Sequence, residues 1–185
     1  MPRDVVERWI SERNALLEQQ GLHVNSAGFA EGGAHWKQLV KRLAPAVRWN
    51  LQCALSDKFD GHLDACYGAC LLRRGDLAAI VGDSLHKFDG DRYVLTDFVV
   101  MPNHVHVLAA FRDEKMMLDQ CASWKRFTAR RINAATKESG EFWQEDAFDH
   151  LVRSAEQFGH YRRYIADNGP RAKLLPGDYL AFTKV

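Results

Sequence analysis

"YVLTDFVVMPNHVHVLAAF", Tyr93 to Phe111, is the stretch that decides the fold. It holds two apolar runs rich in β-branched and aromatic residues, broken by Pro102 and Asn103. Proline presets φ for the second position of a turn and asparagine tolerates the left-handed region, so "MPNH" reads as the turn of a β-hairpin. On the second strand, side chains alternate faces with a period of two. His104 and His106 therefore share one face, and Val105 and Val107 share the other. Two imidazoles about 7 Å apart along a strand can converge on one divalent ion. They do not complete a zinc site, and no cysteine stands at zinc-finger spacing to help. A metal here needs a third protein ligand and open positions for water or substrate. The plainer reading is a pair of partly exposed histidines on the solvated face of a half-buried strand.

Outward from the hairpin, helical and strand-like segments alternate. Val5, Val6, Trp9, Ile10, Leu16 and Leu17 form a helical stripe near the start, with Pro2 suited to a first turn. "GLHVNSAGFAEGGAH" is a glycine-rich loop, and a second helix is expected from Trp36 to about Leu51. "DKFDGHLDA" reads as turn chemistry and "ACYGACLLRR" as a short strand. "DLAAIVGDSLHKF" reads as a helix capped by Asp76. A long helix is expected from Met116 to about Lys137, then a turn and a strand-like run in "SGEFWQEDAFDHLVRS". The last helix spans about Ala155 to Asp167, where "NGP" is expected to stop it. Because the central strands form a tight hairpin, the pattern predicts an α/β sandwich with a largely antiparallel sheet, not a doubly wound parallel one.

With 185 residues, 46% of them apolar, the chain is long enough for one cored domain. Lys and Arg number 25 against 24 Asp and Glu, a net charge of +1, so any nucleic-acid surface must be a local patch. "MPRDVVERWI" is charged from its third residue and lacks the apolar core of a signal peptide. No apolar run approaches the roughly 18–20 residues that cross a bilayer. The four cysteines are too few and too irregular for a disulfide scaffold. These features lead to the expectation of a reduced, cytoplasmic chain without a membrane partner.

The second segment that bears chemistry is "HYRRYIADNGP", His160 to Pro170. Tyr164 and Asn168 are neighbours on one helical face at i,i+4 spacing. A phenol can serve as a nucleophile, and an amide oxygen is a fair ligand for a hard cation. Around them stand His160, Arg162, Arg163, Arg171 and Lys173. The plainer alternative is an amphipathic helix that packs Tyr164 and Ile165 inward and ends on Asn168.

Taken in order, "HLDACYGACLLRR", "RYVLTDFVVMPNHVHVL", "SWKRFTARRIN", "FWQEDAFDHLVR" and "YRRYIADNGP" resemble the REP-associated tyrosine transposases. These are bacterial relatives of the single-tyrosine HUH transposases, so called for His-hydrophobic-His. The resemblance covers about the last two-thirds of the chain. It implies an α+β, ferredoxin-like or RRM-like sandwich, the HUH endonuclease fold, within a single domain over residues 1–185. Residues 1–60 would form a helical N-terminal part and residues 61–175 the catalytic core. It further implies that His104, His106 and Asn168 hold Mg²⁺ or Mn²⁺ and that Tyr164 attacks the scissile phosphate of single-stranded DNA. The products would be a 5′-phosphotyrosine and a free 3′-OH, without ATP, as DNA transposition and recombination require. The implied partner is hairpin-bearing single-stranded DNA, such as a REP-like palindrome. A nucleoid-associated monomer or homodimer is expected.

Phosphate contacts are expected from Lys125, Arg126, Arg130 and Arg131 on "WKRFTARR", with Arg162 and Arg163 beside the tyrosine. Trp124 and Trp143 are either base-stacking platforms or core residues. His150 is expected near the site, with no catalytic role assigned. Family members open with an aromatic-rich strand, and Met1 falls about where that strand ends, so the sheet is expected to lack its usual first strand. Gly169 also separates Asn168 from Pro170 where the family has Asn-Pro. Two further readings compete with the enzyme: a catalytically inactive, domesticated or truncated hairpin-binding protein, and a small metal-dependent hydrolase. The hydrolase has the weaker basis, since no general base or third histidine lies near the pair in sequence.

Overall fold

A computed structural model describes residues 3–64, 68–144 and 149–185. The chain divides into two compact units, Met1–Gly68 and Ala69–Val185. Among the described residues it is a mixed α/β protein with six α-helices and one three-stranded antiparallel sheet. None of its helices is long and apolar enough to cross a membrane.

The first unit is helical: α1 (Arg3–Glu18), α2 (Trp36–Lys41) and α3 (Pro45–Asp64). Leu17, Trp36, Val40, Leu51 and Leu55 form its core. The expected second helix is two helices. It breaks after Lys41, and Pro45 restarts it as the first residue of α3, where a missing N–H costs nothing. The "DKFDGHLDA" turn is a correction as well, because α3 runs through it to Asp64. Buried Arg13 fixes the glycine-rich loop, donating to the carbonyls of Ser26 at 3.0 Å and Asn25 at 3.4 Å. At Gly28, with φ of 86°, a Cβ would stand 2.6 Å from the Trp36 ring, so the loop closes over that ring only with glycine.

The expected strand at "ACYGACLLRR" lies partly outside the described residues, at 65–67. The remainder is a 3-10 turn, Leu71–Arg73, entered through Cys70 in the left-handed region (φ 45°). Helix α4 (Gly75–His86) follows, and its N-cap is Arg74 rather than Asp76. Asp76 sits in the first turn, where its carboxylate accepts from Arg74 at 2.7 and 3.2 Å. Strands β1 (Val94–Val100) and β2 (Val105–Ala110) form the hairpin, and helix α5 (Glu114–Thr136) is capped by the Asp113 carboxylate. Helix α6 (Ala155–Arg171) and strand β3 (Leu180–Thr183) complete the second unit. Of the expected strand-like run after Phe142, residues 145–148 lie outside the described residues and 149–153 form no strand.

The sheet order is β2-β1-β3, antiparallel throughout, so β1 is central. The pairing shifts between Leu95 and Asp97. This bulge resets the side-chain alternation: Leu95 and Phe98 both join the cluster of Leu77, Val81 and Leu85 from α4. The alternate residues Val99 and Met101 pack with Ile165 of α6. At Gly82 an added Cβ would lie 2.8 Å from the Leu180 side chain, so glycine lets α4 approach the sheet. Helix α6 does not stop at "NGP"; it runs through Asn168, Gly169 and Pro170 to Arg171. A Cβ at Gly169 would collide with the Tyr179 ring, so this glycine seats the segment leading into β3 against the helix.

Candidate functional site

The hairpin turn closes with Met101 N–H donating to the His104 carbonyl at 2.9 Å, and Leu72 N–H donates to the Pro102 carbonyl at 3.0 Å. With the turn held at both points, strand alternation carries His104 and His106 to the α6 side. Their Nε2 atoms lie 3.1 Å apart, with the rings nearly perpendicular at 86°. His104 Nδ1–H donates to Asn103 Oδ1 at 2.8 Å. An amide oxygen only accepts, so Nδ1 carries the proton and Nε2 of His104 presents its lone pair. The His106 ring nitrogen that faces this lone pair donates or accepts according to its tautomer.

Both rings are held neutral. Burial pushes His104 down to about 3, with neighbouring His106 adding to the effect. Burial likewise lowers His106 to about 4, and the Arg171 guanidinium contributes. Neutral imidazole is the form that ligates metals.

The Tyr164 ring meets His106 edge to face, with centroids 5.3 Å apart. Seven residues on, nearly two full helical turns, Arg171 places its guanidinium carbon 5.1 Å from the Tyr164 ring centroid. Between them, one turn from Tyr164, Asn168 is 1% exposed. Its buried Oδ1 has no hydrogen-bond partner among the described residues. Such an orphaned acceptor costs about 1–3 kcal/mol, and its chemistry is that of a hard-cation ligand.

Among the described residues, no three His, Cys, Asp or Glu side chains gather where one ion would reach them all. Beside the histidine pair, α6 offers a phenol in Tyr164 and an amide oxygen in Asn168 as further donors. Two ligand atoms each about 2.1 Å from an ion, at right angles, lie about 3 Å apart, close to the 3.1 Å between the imidazole nitrogens. The spacing of the two neutral imidazoles thus fits two adjacent positions of a six-coordinate divalent ion, and the orphaned Asn168 amide oxygen, one turn from Tyr164, has the chemistry of a further ligand. This mixed N and O set suits Mn²⁺ better than Mg²⁺, whose preference is for oxygen.

The cationic candidates are spread out. Arg126, Arg130 and Arg131 are exposed on α5, with Arg126 and Arg130 one turn apart. Lys125 donates to the Gln144 carbonyl at 2.9 Å. Arg163 is exposed on α6. Arg162 is committed elsewhere: its Nε donates to both Asp97 carboxylate oxygens at 3.0 and 3.2 Å, and Nη2 to the Lys184 carbonyl at 2.7 Å. Asp97 is fully buried, and Arg162 is its counter-ion.

Trp124 and Trp143 are packed inward. The Trp124 indole N–H donates to the Ser84 carbonyl at 3.1 Å, and that of Trp143 to Thr128 Oγ1 at 2.8 Å. His150 lies 5.3 Å from the Tyr161 ring and His160 5.4 Å from it, a group one turn before Tyr164. Two residues of this region have no role in the site expected from the sequence, although Arg171 stands beside it. Arg171 repeats the Tyr164 face at i+7, a signal open to periodicity. Asp97 is a lone carboxylate within "VLTDFVV", the mark of a buried charge that needs a partner. No family model matches the chain, and no curated protein or solved structure matches it either.

Proposed function

We propose that this chain is a metal-dependent tyrosine endonuclease and strand transferase of the HUH type, resembling the REP-associated tyrosine transposases. Its substrate is single-stranded DNA bearing a hairpin. The observation that supports the reading is the meeting of two neutral imidazoles with a phenol ring on one sheet face, with a buried, unpartnered amide oxygen one helical turn from that phenol. Each residue type has a part in phosphoryl transfer, and their order along the chain matches the family pattern.

In this reading His104, His106 and Asn168 hold Mn²⁺ or Mg²⁺. When bound, the ion supplies Lewis-acid polarisation of a phosphate oxygen and offsets the charge of the transition state. The Tyr164 phenol oxygen forms a bond to phosphorus while the bond from phosphorus to the 3′ oxygen breaks. The phenol proton leaves to solvent, and the departing 3′ oxygen takes one up. The products are a 5′-phosphotyrosine and a 3′-OH, and attack by a 3′-OH reverses the step and rejoins strands. Arg171, over the Tyr164 ring, offers a cation where the phosphate must arrive. Asn103 fixes the tautomer that aims the His104 lone pair. Arg126, Arg130, Arg131, Arg163 and Lys125 contact backbone phosphates, whereas Arg162 supports the fold through Asp97.

The test is to incubate the protein with a labelled hairpin oligonucleotide and Mn²⁺ or Mg²⁺ and to look for a covalent adduct that survives denaturation. Tyr164→Phe is expected to abolish the adduct, and Tyr161→Phe to retain it. An adduct that persists in Tyr164→Phe overturns the assignment. Hairpin binding without any adduct from the intact chain would point to an inactive DNA-binding protein.

A further inference from the structure

The first unit has no part in the chemistry proposed above, yet its charges are segregated. From Gly32 to Ser56 there is no acidic residue, while Lys37, Lys41, Arg42 and Arg48 all fall within that stretch. These cations occupy α2 and the corner that leads into α3. Lys41 and Arg42 are exposed, and Lys37 and Arg48 are half-buried. Arg48 Nη1 donates to the Lys41 carbonyl at 3.1 Å, which draws the start of α3 to the end of α2 and gathers the charges at one corner. None of the four is in an ion pair among the described residues, whereas Lys58 and His62 of the same unit both pair with Glu12. Lys37 and Lys41 are like charges at i,i+4, an arrangement that costs helix stability. A six-residue helix has little stability to lose.

We infer that this corner is a docking surface for the phosphate backbone of a nucleic-acid duplex. Lys37 and Lys41 are separated by about 6 Å along the helix axis, nearly two of the roughly 3.4 Å steps between phosphates on one strand. Trp36, the one aromatic residue of α2, and Val40 are turned into the core, and Leu39 is half-buried. Cations without a stacking platform suit the backbone of paired nucleic acid rather than splayed bases. Leu39, half-buried, and Val47, exposed, make too small an apolar face to seat these cations in a membrane interface. The inference uses the nucleic-acid reading to choose the polyanion, but it does not depend on Tyr164 chemistry.

The test uses the full chain in a chelating buffer and a short blunt DNA duplex with no single-stranded segment, so that nicking plays no part. The triple variant Lys37→Gln, Lys41→Gln, Arg42→Gln keeps helix-compatible side chains. It is expected to bind the duplex at least about 10-fold more weakly at moderate salt. The slope of log affinity against log salt should fall by about 2–3, near 0.9 for each phosphate no longer neutralised. The charge-conserving pair Lys37→Arg, Lys41→Arg should retain affinity and slope. In a separate adduct assay with Mn²⁺ and a saturating concentration of the hairpin oligonucleotide, the triple variant should match the unmodified chain. Duplex affinity and slope unchanged in the triple variant would overturn the inference. So would an equal loss in the Lys→Arg pair, which would make the side chains structural. So would a loss confined to anionic phospholipid vesicles. Absence of any adduct would count against the Tyr164 reading alone.

Discussion

On the α4 side of the sheet, Phe98, Val100, Val105 and Val107 pack with Leu77, Val81 and Leu85 into an apolar cluster. On the α6 side, the same two strands seat Asp97, His104 and His106 against a helix that brings Tyr164, Asn168 and Arg162. Neighbouring residues of one strand thus serve opposite purposes. Phe98 and Asp97 are both buried to within 1% of full exclusion, yet one removes apolar area from water and the other removes a carboxylate. Burial of the first kind stabilises and burial of the second kind costs, unless a partner is supplied. A face that carries a charge, two neutral imidazoles and an orphaned amide oxygen is poorly explained by stability alone. In the function proposed above, a bound cation would supply the missing partner.

Deleting a side chain on the dry face should have the largest effect on folding. Phe98→Ala removes a fully buried ring and is expected to lower unfolding free energy by about 3–5 kcal/mol, as measured by urea denaturation. Arg162→Met, on the other face, strands the Asp97 carboxylate and is expected to cost about 3 kcal/mol. If Arg162→Met leaves stability unchanged and weakens only DNA binding, the contrast between faces fails at that pair.

The imidazoles sharpen the contrast through pH. In the unfolded chain they take up protons near pH 6.5. In the folded chain they do so only near about 3 for His104 and about 4 for His106. As pH falls below 6.5, the unfolded state therefore gains protons that the folded state refuses, and stability drops. Their contribution is fully present above pH 6.5 and is lost towards pH 4. At pH 5 the loss is on the order of 1–2 kcal/mol per imidazole. The urea midpoint of chelator-treated protein should fall between pH 7 and pH 5, and a His104→Gln, His106→Gln double variant should fall less. Parallel curves would mean that the rings are not buried neutral.

Gly169→Ala is the mildest of the substitutions. A methyl group there runs into the Tyr179 ring, so overpacking of about 1–3 kcal/mol is expected. Because the shift falls next to Asn168, metal affinity should fall with stability. Restored stability and affinity in a Gly169→Ala, Tyr179→Leu double variant would trace both effects to that contact.

Much of this contrast was legible in the sequence. Pro102 and Asn103 announced the turn, and the period of two assigned His104 and His106 to one face without any tertiary information. The α6 stripe through Tyr164 and Asn168 was equally open to a period of 3.6. What escaped was set by distant packing. "NGP" is a sound local stop signal, but Gly169 and Pro170 stay helical while Tyr179 packs on the last turns. The strand Leu180–Thr183 is too short to announce itself, and it exists because β1 offers an edge. The Trp36–Leu51 helix looked continuous because its apolar spacing survives the break at Pro45. Arg162 looked like one more phosphate ligand because nothing local ties it to Asp97, 65 residues away.

Mn²⁺ titration followed by electron paramagnetic resonance shows whether the imidazole pair on the polar face is a cation site. One Mn²⁺ per chain is expected, bound more tightly than Mg²⁺. His104→Ala and His106→Ala should abolish that binding, Asn168→Ala should weaken it roughly 10–100-fold, and Arg126→Ala should leave it unchanged. A chain that binds no Mn²⁺, or binds it equally well without either histidine, has no cation site at this pair.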